Sequence, residues 1–95
     1  MAAYAILDVD VHDAEGYTEY RGLSGPSVEQ YDGRFLVRGG AVETIEGEWQ
    51  PSRFVVIEFP TMDQAKTWYN SPEYTKARTI RQRTAHSKAI FVEGV

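Results

Sequence analysis

Ninety-five residues with a net charge of −4, 42% hydrophobic and without a single cysteine, fit one small domain that neither disulfides nor thiolate-bound metal can hold together. The acidic balance removes the basic face that phosphate backbones require, so nucleic acid is not an expected partner. A chain this short buries only about 60–65% of the surface its unfolded form exposes, and with only His12 and His86 left for metal ligation, self-association is the expected source of added stability.

Ala3–Val11 alternates, with Ala3, Ala5, Leu7, Val9 and Val11 on one side and Tyr4, Ile6, Asp8 and Asp10 on the other. That pattern predicts a strand with one wholly apolar face. No basic residue precedes this stretch and Asp8 interrupts it early, so no signal peptide, membrane span or membrane partner is expected, and a cytoplasmic location is. Asp13 is placed to cap a helix running through Tyr17, Tyr20, Leu23, Val28 and Tyr31. Gly25-Pro26 predicts a kink or restart within it, because proline removes a helical hydrogen bond. The phrase Asp32-Gly33-Arg34-Phe35-Leu36-Val37-Arg38-Gly39-Gly40 reads as a turn launching a second strand over Arg34–Arg38. The strand breaks at the glycine pair, resumes over 41–46 and turns near Gly47.

Arg53–Phe59 is the clearest strand, begun after Pro51 and stopped by Pro60. Thr61 with Gln64 three residues on forms a capping box, and Met62, Ala65, Trp68 and Tyr69 make the apolar stripe of the helix it opens. Ser71-Pro72 starts another helix: the serine can accept an orphan N–H, and the proline sits where a missing N–H costs nothing. Tyr74, Ala77 and Ile80 are its inward residues, so Trp68 and Tyr74 are expected in the core and not at a ligand. The basic run of Lys76, Arg78, Arg81 and Arg83 reads as a solvated helix face. Residues 88–93 form the last strand.

These elements make an α+β domain over residues 1–95, a ferredoxin-like β-α-β-β-α-β antiparallel sheet with its helices on one face. Parity places Ala5, Leu7, Val9, Phe35, Val37, Val55, Ile57, Phe59, Ile90 and Val92 under the helices, provided no bulge shifts the register. The opposite face then carries Ile6, Leu36, Phe54, Val56 and Phe91 together with Asp8, Asp10, Arg38, Glu58 and Glu93. Apolar patches of that extent mark interfaces, whereas unpaired buried charge is costly. Two sheets facing each other across a two-fold axis, around a partly polar cavity, satisfy both constraints.

The chain resembles a family of small bacterial proteins, domain of unknown function 1330, that adopt the dimeric α/β-barrel. The resemblance spans nearly the whole chain. It rests on Glu19-Tyr20, Gly33-Arg34 with Val37-Arg38-Gly39-Gly40, Glu46-Gly47-x-Trp49-x-Pro51, Glu58-Phe59-Pro60 and Asn70-Ser71-Pro72-Glu73-Tyr74. Asp32 departs from it, standing where the family pattern has glycine. The resemblance implies the fold and a homodimer and no particular activity, since relatives of the fold range from cofactor-free monooxygenases to haem proteins and isomerases.

Five residues are candidates for ligand binding. Asp8, Glu58 and Arg38 are expected to cluster on the open face, either as a structural ion pair or as groups with perturbed proton affinity. Tyr20, foremost among the helix tyrosines, and Trp49 near the hairpin are candidates for an aromatic lining. No catalytic residue is identifiable, and no metal or cofactor is expected. The histidines lack ligand spacing, and there is no serine elbow, phosphate-cradling loop or cysteine nucleophile. Two roles fit: a cofactor-independent enzyme of oxygenase or isomerase type acting on a small organic molecule, or a non-catalytic binding module for a small anionic metabolite anchored by Arg38.

Overall fold

The computed structural model describes residues 1–95. In chain order it contains β1 (Ala3–Val11), α1 (Ala14–Gln30), β2 (Arg34–Arg38), β3 (Arg53–Phe59), α2 (Met62–Tyr69), α3 (Pro72–Thr84) and β4 (Ala85–Glu93). The four strands form one antiparallel sheet in the order β2-β3-β1-β4. Alternation drives the layering: Leu7, Val9, Val55, Ile57 and Phe59 share a face and close against Tyr17, Tyr20, Val28, Ala65, Trp68 and Tyr74 of the helices. The result is the α+β, ferredoxin-like arrangement expected, with the other face of the sheet left without helices.

Each helix begins where a side chain can accept its orphan amides. Asp13 Oδ1 accepts from Gly16 N at 3.0 Å, Thr61 Oγ1 from Gln64 N at 3.1 Å, and Ser71 Oγ from Tyr74 N at 3.1 Å. The capping box at Thr61 is half used, because Gln64 Nε2 donates to the Tyr31 carbonyl at 2.9 Å and so ties α2 to the end of α1. At that end Asp32 adopts a left-handed φ of 64°, which aspartate tolerates, and Gly33 follows because a Cβ there would fall 2.6 Å from the Phe59 ring.

Four expectations need correction. The first helix does not restart at Gly25-Pro26: α1 runs through Pro26 as one element. The lost bond would have reached the Gly22 carbonyl, and both residues face solvent, where water can take its place. The second strand does not resume over 41–46. After Gly39, whose N–H gives the last rung to the Phe54 carbonyl at 2.9 Å, residues 40–52 form a loop tied by Thr44 Oγ1 donating to the Trp49 carbonyl at 2.7 Å.

The last strand starts at Ala85, directly from α3, and its register pairs Ala5 with Phe91 and Ile6 with Ile90. Residues opposite each other in a ladder share a face, so Phe91 and Glu93 lie on the helix side and Ile90 and Val92 on the open side. Phe91 meets Tyr69 edge-on at 5.7 Å. Finally, β2 carries a bulge: Phe35 pairs with Ile57, but Val37 pairs with Val56 and Arg38 with Val55. One extra residue at Leu36 turns Val37 to the open face and Arg38 to the helix side.

Candidate functional site

The open face of the sheet carries Ile6, Val37, Phe54, Val56, Ile90 and Val92, of which Ile90 and Val92 are 59% and 42% exposed. Trp49, 60% exposed, reaches from the 39–52 loop over this face. Its Nε1–H donates to Asp8 Oδ2 at 3.0 Å, and its ring lies edge-on to Phe54 at 5.9 Å. Lys88 stands opposite Asp8 in the ladder. Together with Ile6 and Ile90 these side chains line an open hollow of about 520 Å³.

Glu58 is elsewhere on the same face. Its Oε1 accepts from Arg34 Nε at 2.7 Å, and its Oε2 accepts from the Tyr4 hydroxyl at 3.4 Å. Four ladder positions separate it from Asp8, roughly 13 Å along the strands at ~3.3 Å per residue. The expected Asp8–Arg38–Glu58 cluster therefore does not form; Arg34 and Lys88 are the cations of the open face, and Arg38 lies behind the sheet. The Arg34 side chain is 73% exposed, so Glu58→Gln is expected to lower stability by about 0.2–1 kcal/mol in urea unfolding, the effect shrinking as salt rises.

Arg38 instead reaches into a cleft between α1 and the sheet. Leu7, Val9, Val28, Val55 and Ile57 form its floor; Tyr17, Tyr20, Phe35 and Trp68 its aromatic walls; Arg21, Arg38, Arg53 and Ser24 its polar groups. The Arg38 guanidinium lies over the Phe35 ring at 4.1 Å, and that of Arg53 lies 5.7 Å from the Tyr17 ring. Arg53 Nε is buried and has no hydrogen-bond partner. The single ion pair of the protein is Arg34 with Glu58, so none of these three arginines has a carboxylate within 4.0 Å. The unfilled space is about 20 Å³, enough for one water molecule.

Behind the cleft, Tyr20 and Tyr74 share a hydrogen bond of 2.9 Å between their hydroxyls, next to the buried Arg81, whose Nε is also unpartnered. Burial pushes the Tyr20 phenol well above its ordinary value of 10.0, with Tyr74 adding to the shift, and burial raises Tyr74 as well. Both phenols are thus held in the protonated form, and either hydroxyl can be the donor of the bond between them. A raised folded pKa means that folding retains protons which the unfolded chain loses, so this stability is complete below about pH 10 and is lost as pH climbs past 10.0. Tyr20→Phe with Tyr74→Phe should flatten the alkaline fall of the unfolding free energy, measured by urea titration above pH 9.

Of the five candidate residues, then, Asp8 and Trp49 meet on the open face, Tyr20 and Arg38 meet at the cleft, and Glu58 stands apart. Tyr31 is outside both places, its hydroxyl donating to Glu73 at 2.6 Å. Arg21 and Arg53 are the cleft residues that the sequence reading passed over. Nowhere do three or more His, Asp or Glu gather to hold a metal ion, and no helix is long and apolar enough to cross a membrane.

A small ferredoxin-like domain with one bare apolar sheet face and a cationic cleft is the class these features define. The chain belongs to the family described as Domain of unknown function (DUF1330), which matches residues 2–95. No curated protein matches it. Among solved structures, a protein of unknown function from Rhodopseudomonas palustris is similar at 20% identity, with a TM-score of 0.80 over 99% of this chain and 82% of that one. A cofactor-independent oxygenase from Streptomyces nogalater, SnoaB, is 12% identical, with a TM-score of 0.65 over 99% of this chain and 93% of its own. A dimeric ferredoxin-like protein of unknown function from Jannaschia is 9% identical, with a TM-score of 0.66 over 99% and 100%. At these identities the likeness shows the fold alone.

Proposed function

We propose that this chain works as a homodimer, the open faces of two sheets packed together, and that each protomer binds a small organic anion in the cleft between α1 and the sheet. The observation that carries the binding half is the set of three guanidinium groups around an apolar, aromatic-walled cleft with no carboxylate to neutralise them. Arg53 has a buried Nε without a partner, while Arg21 and Arg38 are exposed, so an anion could be held by all three. Dimerisation is supported by the apolar open face and by the dimeric state of similar folds such as the one from Jannaschia.

Catalysis is the second reading, a cofactor-independent enzyme of oxygenase or isomerase type like SnoaB. It is favoured by Tyr20, a protonated phenol of the cleft wall that could donate to a developing enolate or phenolate once turned from its bond with Tyr74. No carboxylate or imidazole lines the cleft to act as base, so a substrate would have to be acidified by the arginines themselves. Screening small acids and phenols by thermal shift, then following oxygen uptake and substrate loss without added cofactor, separates the two. Stabilisation without turnover supports the binding role; turnover that falls in Tyr20→Phe supports the enzyme; neither response removes the cleft from the account.

A further inference from the structure

We infer that the group recognised in the cleft is the carboxylate of a small aromatic acid, with Arg53 as the inner anchor and Arg38 and Arg21 closing over it; this rests on the cleft being the binding site. Arginine forks hold phosphate as well as carboxylate, but the cleft lacks the other mark of a phosphate site. Phosphates are held where backbone N–H groups converge, at helix N-termini or glycine-rich nests. Arg21 and Ser24 come from the middle of α1, and the rest of the lining comes from Tyr17, Tyr20 and Val28 of the same helix, from the strands, and from Trp68 of α2. The unfilled space of about 20 Å³ holds one water molecule, so a ligand enters by displacing the exposed Arg21 and Arg38 side chains.

The guanidinium geometry fits the same group. The Arg38 guanidinium lies over Phe35, and a guanidinium whose face meets a ring keeps its edge N–H donors for a carboxylate. Arg53 has a buried Nε that no protein atom satisfies, a donor poised for an incoming acceptor. Two glycines keep space for these heads. A Cβ at Gly25 on α1 would sit 3.2 Å from Arg38 Nη2, and one at Gly39 would collide with the Arg53 guanidinium. The glycine after Arg38 therefore does more than end a strand, since it leaves room for the second cation of the cleft. With Tyr17, Tyr20 and Phe35 in the walls of the cleft, the body of the ligand is placed against aromatic rings.

The test titrates the intact protein with benzoate and phenylacetate, with benzamide as the neutral isostere and inorganic phosphate as the bare oxyanion, followed by calorimetry and by amide chemical shifts. The aromatic acids are expected to bind at least tenfold more tightly than benzamide or phosphate and to perturb cleft residues. Arg38→Gln, at an exposed position, and Arg53→Gln should each weaken benzoate at least tenfold, while Arg34→Gln on the opposite face leaves it unchanged. Should Arg53→Gln fail to fold, Arg38→Gln decides alone. Benzamide binding the cleft as well as benzoate would overturn the carboxylate inference and leave the cleft reading standing. Phosphate binding as tightly as benzoate would reduce the site to a general oxyanion site and overturn the aromatic class. No perturbation of cleft residues by any of the four compounds would overturn both.

Discussion

Trp68→Ala is expected to cost about 3–5 kcal/mol of folding stability, the range for removing a fully buried large aromatic side chain. Trp68 is 1% exposed and central to an aromatic group, its ring 4.0 Å from that of Tyr74, 5.2 Å from Phe59 and 6.1 Å from Tyr69. Its Nε1–H also donates to Ser27 Oγ at 3.1 Å, so truncation leaves a void and removes one of the two bonds of that buried hydroxyl, which still donates to the Ser24 carbonyl at 2.7 Å. A domain of this size has roughly 5–14 kcal/mol in total at ~0.05–0.15 kcal/mol per residue, so the variant should stand near the limit of folding. Urea denaturation is expected to show a large fall in midpoint with an unchanged slope, and Trp68→Phe a smaller fall, since it keeps most of the packing. A loss below about 1 kcal/mol would mean that Trp68 contributes little to the core.

What could be read from the chain follows from how many phases of apolar alternation each segment permits. β1 and β3 have one consistent buried phase, and their facing was legible down to the residue. The helix starts at Asp13, Thr61 and Ser71 were legible because a capping side chain has a fixed position relative to the amide it satisfies. Residues 89–92 are apolar in both phases, so alternation could not choose between Ile90 and Phe91; the continuous passage from α3 into β4 at Ala85 decides it. The bulge at Leu36 is harder still, because one inserted residue leaves no mark in composition yet moves Arg38 through the sheet.

The cleft was half visible for the same reasons. Tyr17, Tyr20, Arg21 and Ser24 recur at helical spacing on one face of α1, and Arg53 shares the inward phase of β3 with Val55, Ile57 and Phe59. An arginine at the first position of a strand reads as a solvated end, which hides it. Only when the bulge brings Arg38 to the same side do the three cations become one site. Asp8 and Trp49 show the converse limit: their contact crosses a long loop whose path no periodicity describes.

Ile90→Asp is expected to convert a dimer into a folded monomer. Ile90 is 59% exposed in the single protomer, so a carboxylate there removes little packing within the chain. In a dimer built on the open face it lies beside Ile6 and the hollow under Trp49, and a two-fold axis places the substitution in both copies. The face is large enough to matter. The chain exposes 5995 Å², against about 5,500 Å² expected for a monomer of its mass, an excess that the open face shares with the exposed 40–52 loop. Each large apolar side chain fully covered contributes about 1.5–3 kcal/mol, offset by the lost freedom of two bodies. Two unpaired buried carboxylates should together cost at least about 3 kcal/mol, which is more than 100-fold in dissociation constant. Sedimentation at micromolar concentration should therefore give a dimer for the wild type and a monomer of unchanged helical dichroism for the variant. The melting temperature should depend on protein concentration only in the wild type. A wild type that sediments as a monomer, or a variant that remains a dimer, would place the interface somewhere other than the open face and leave Ile6, Val56 and Val92 without a partner.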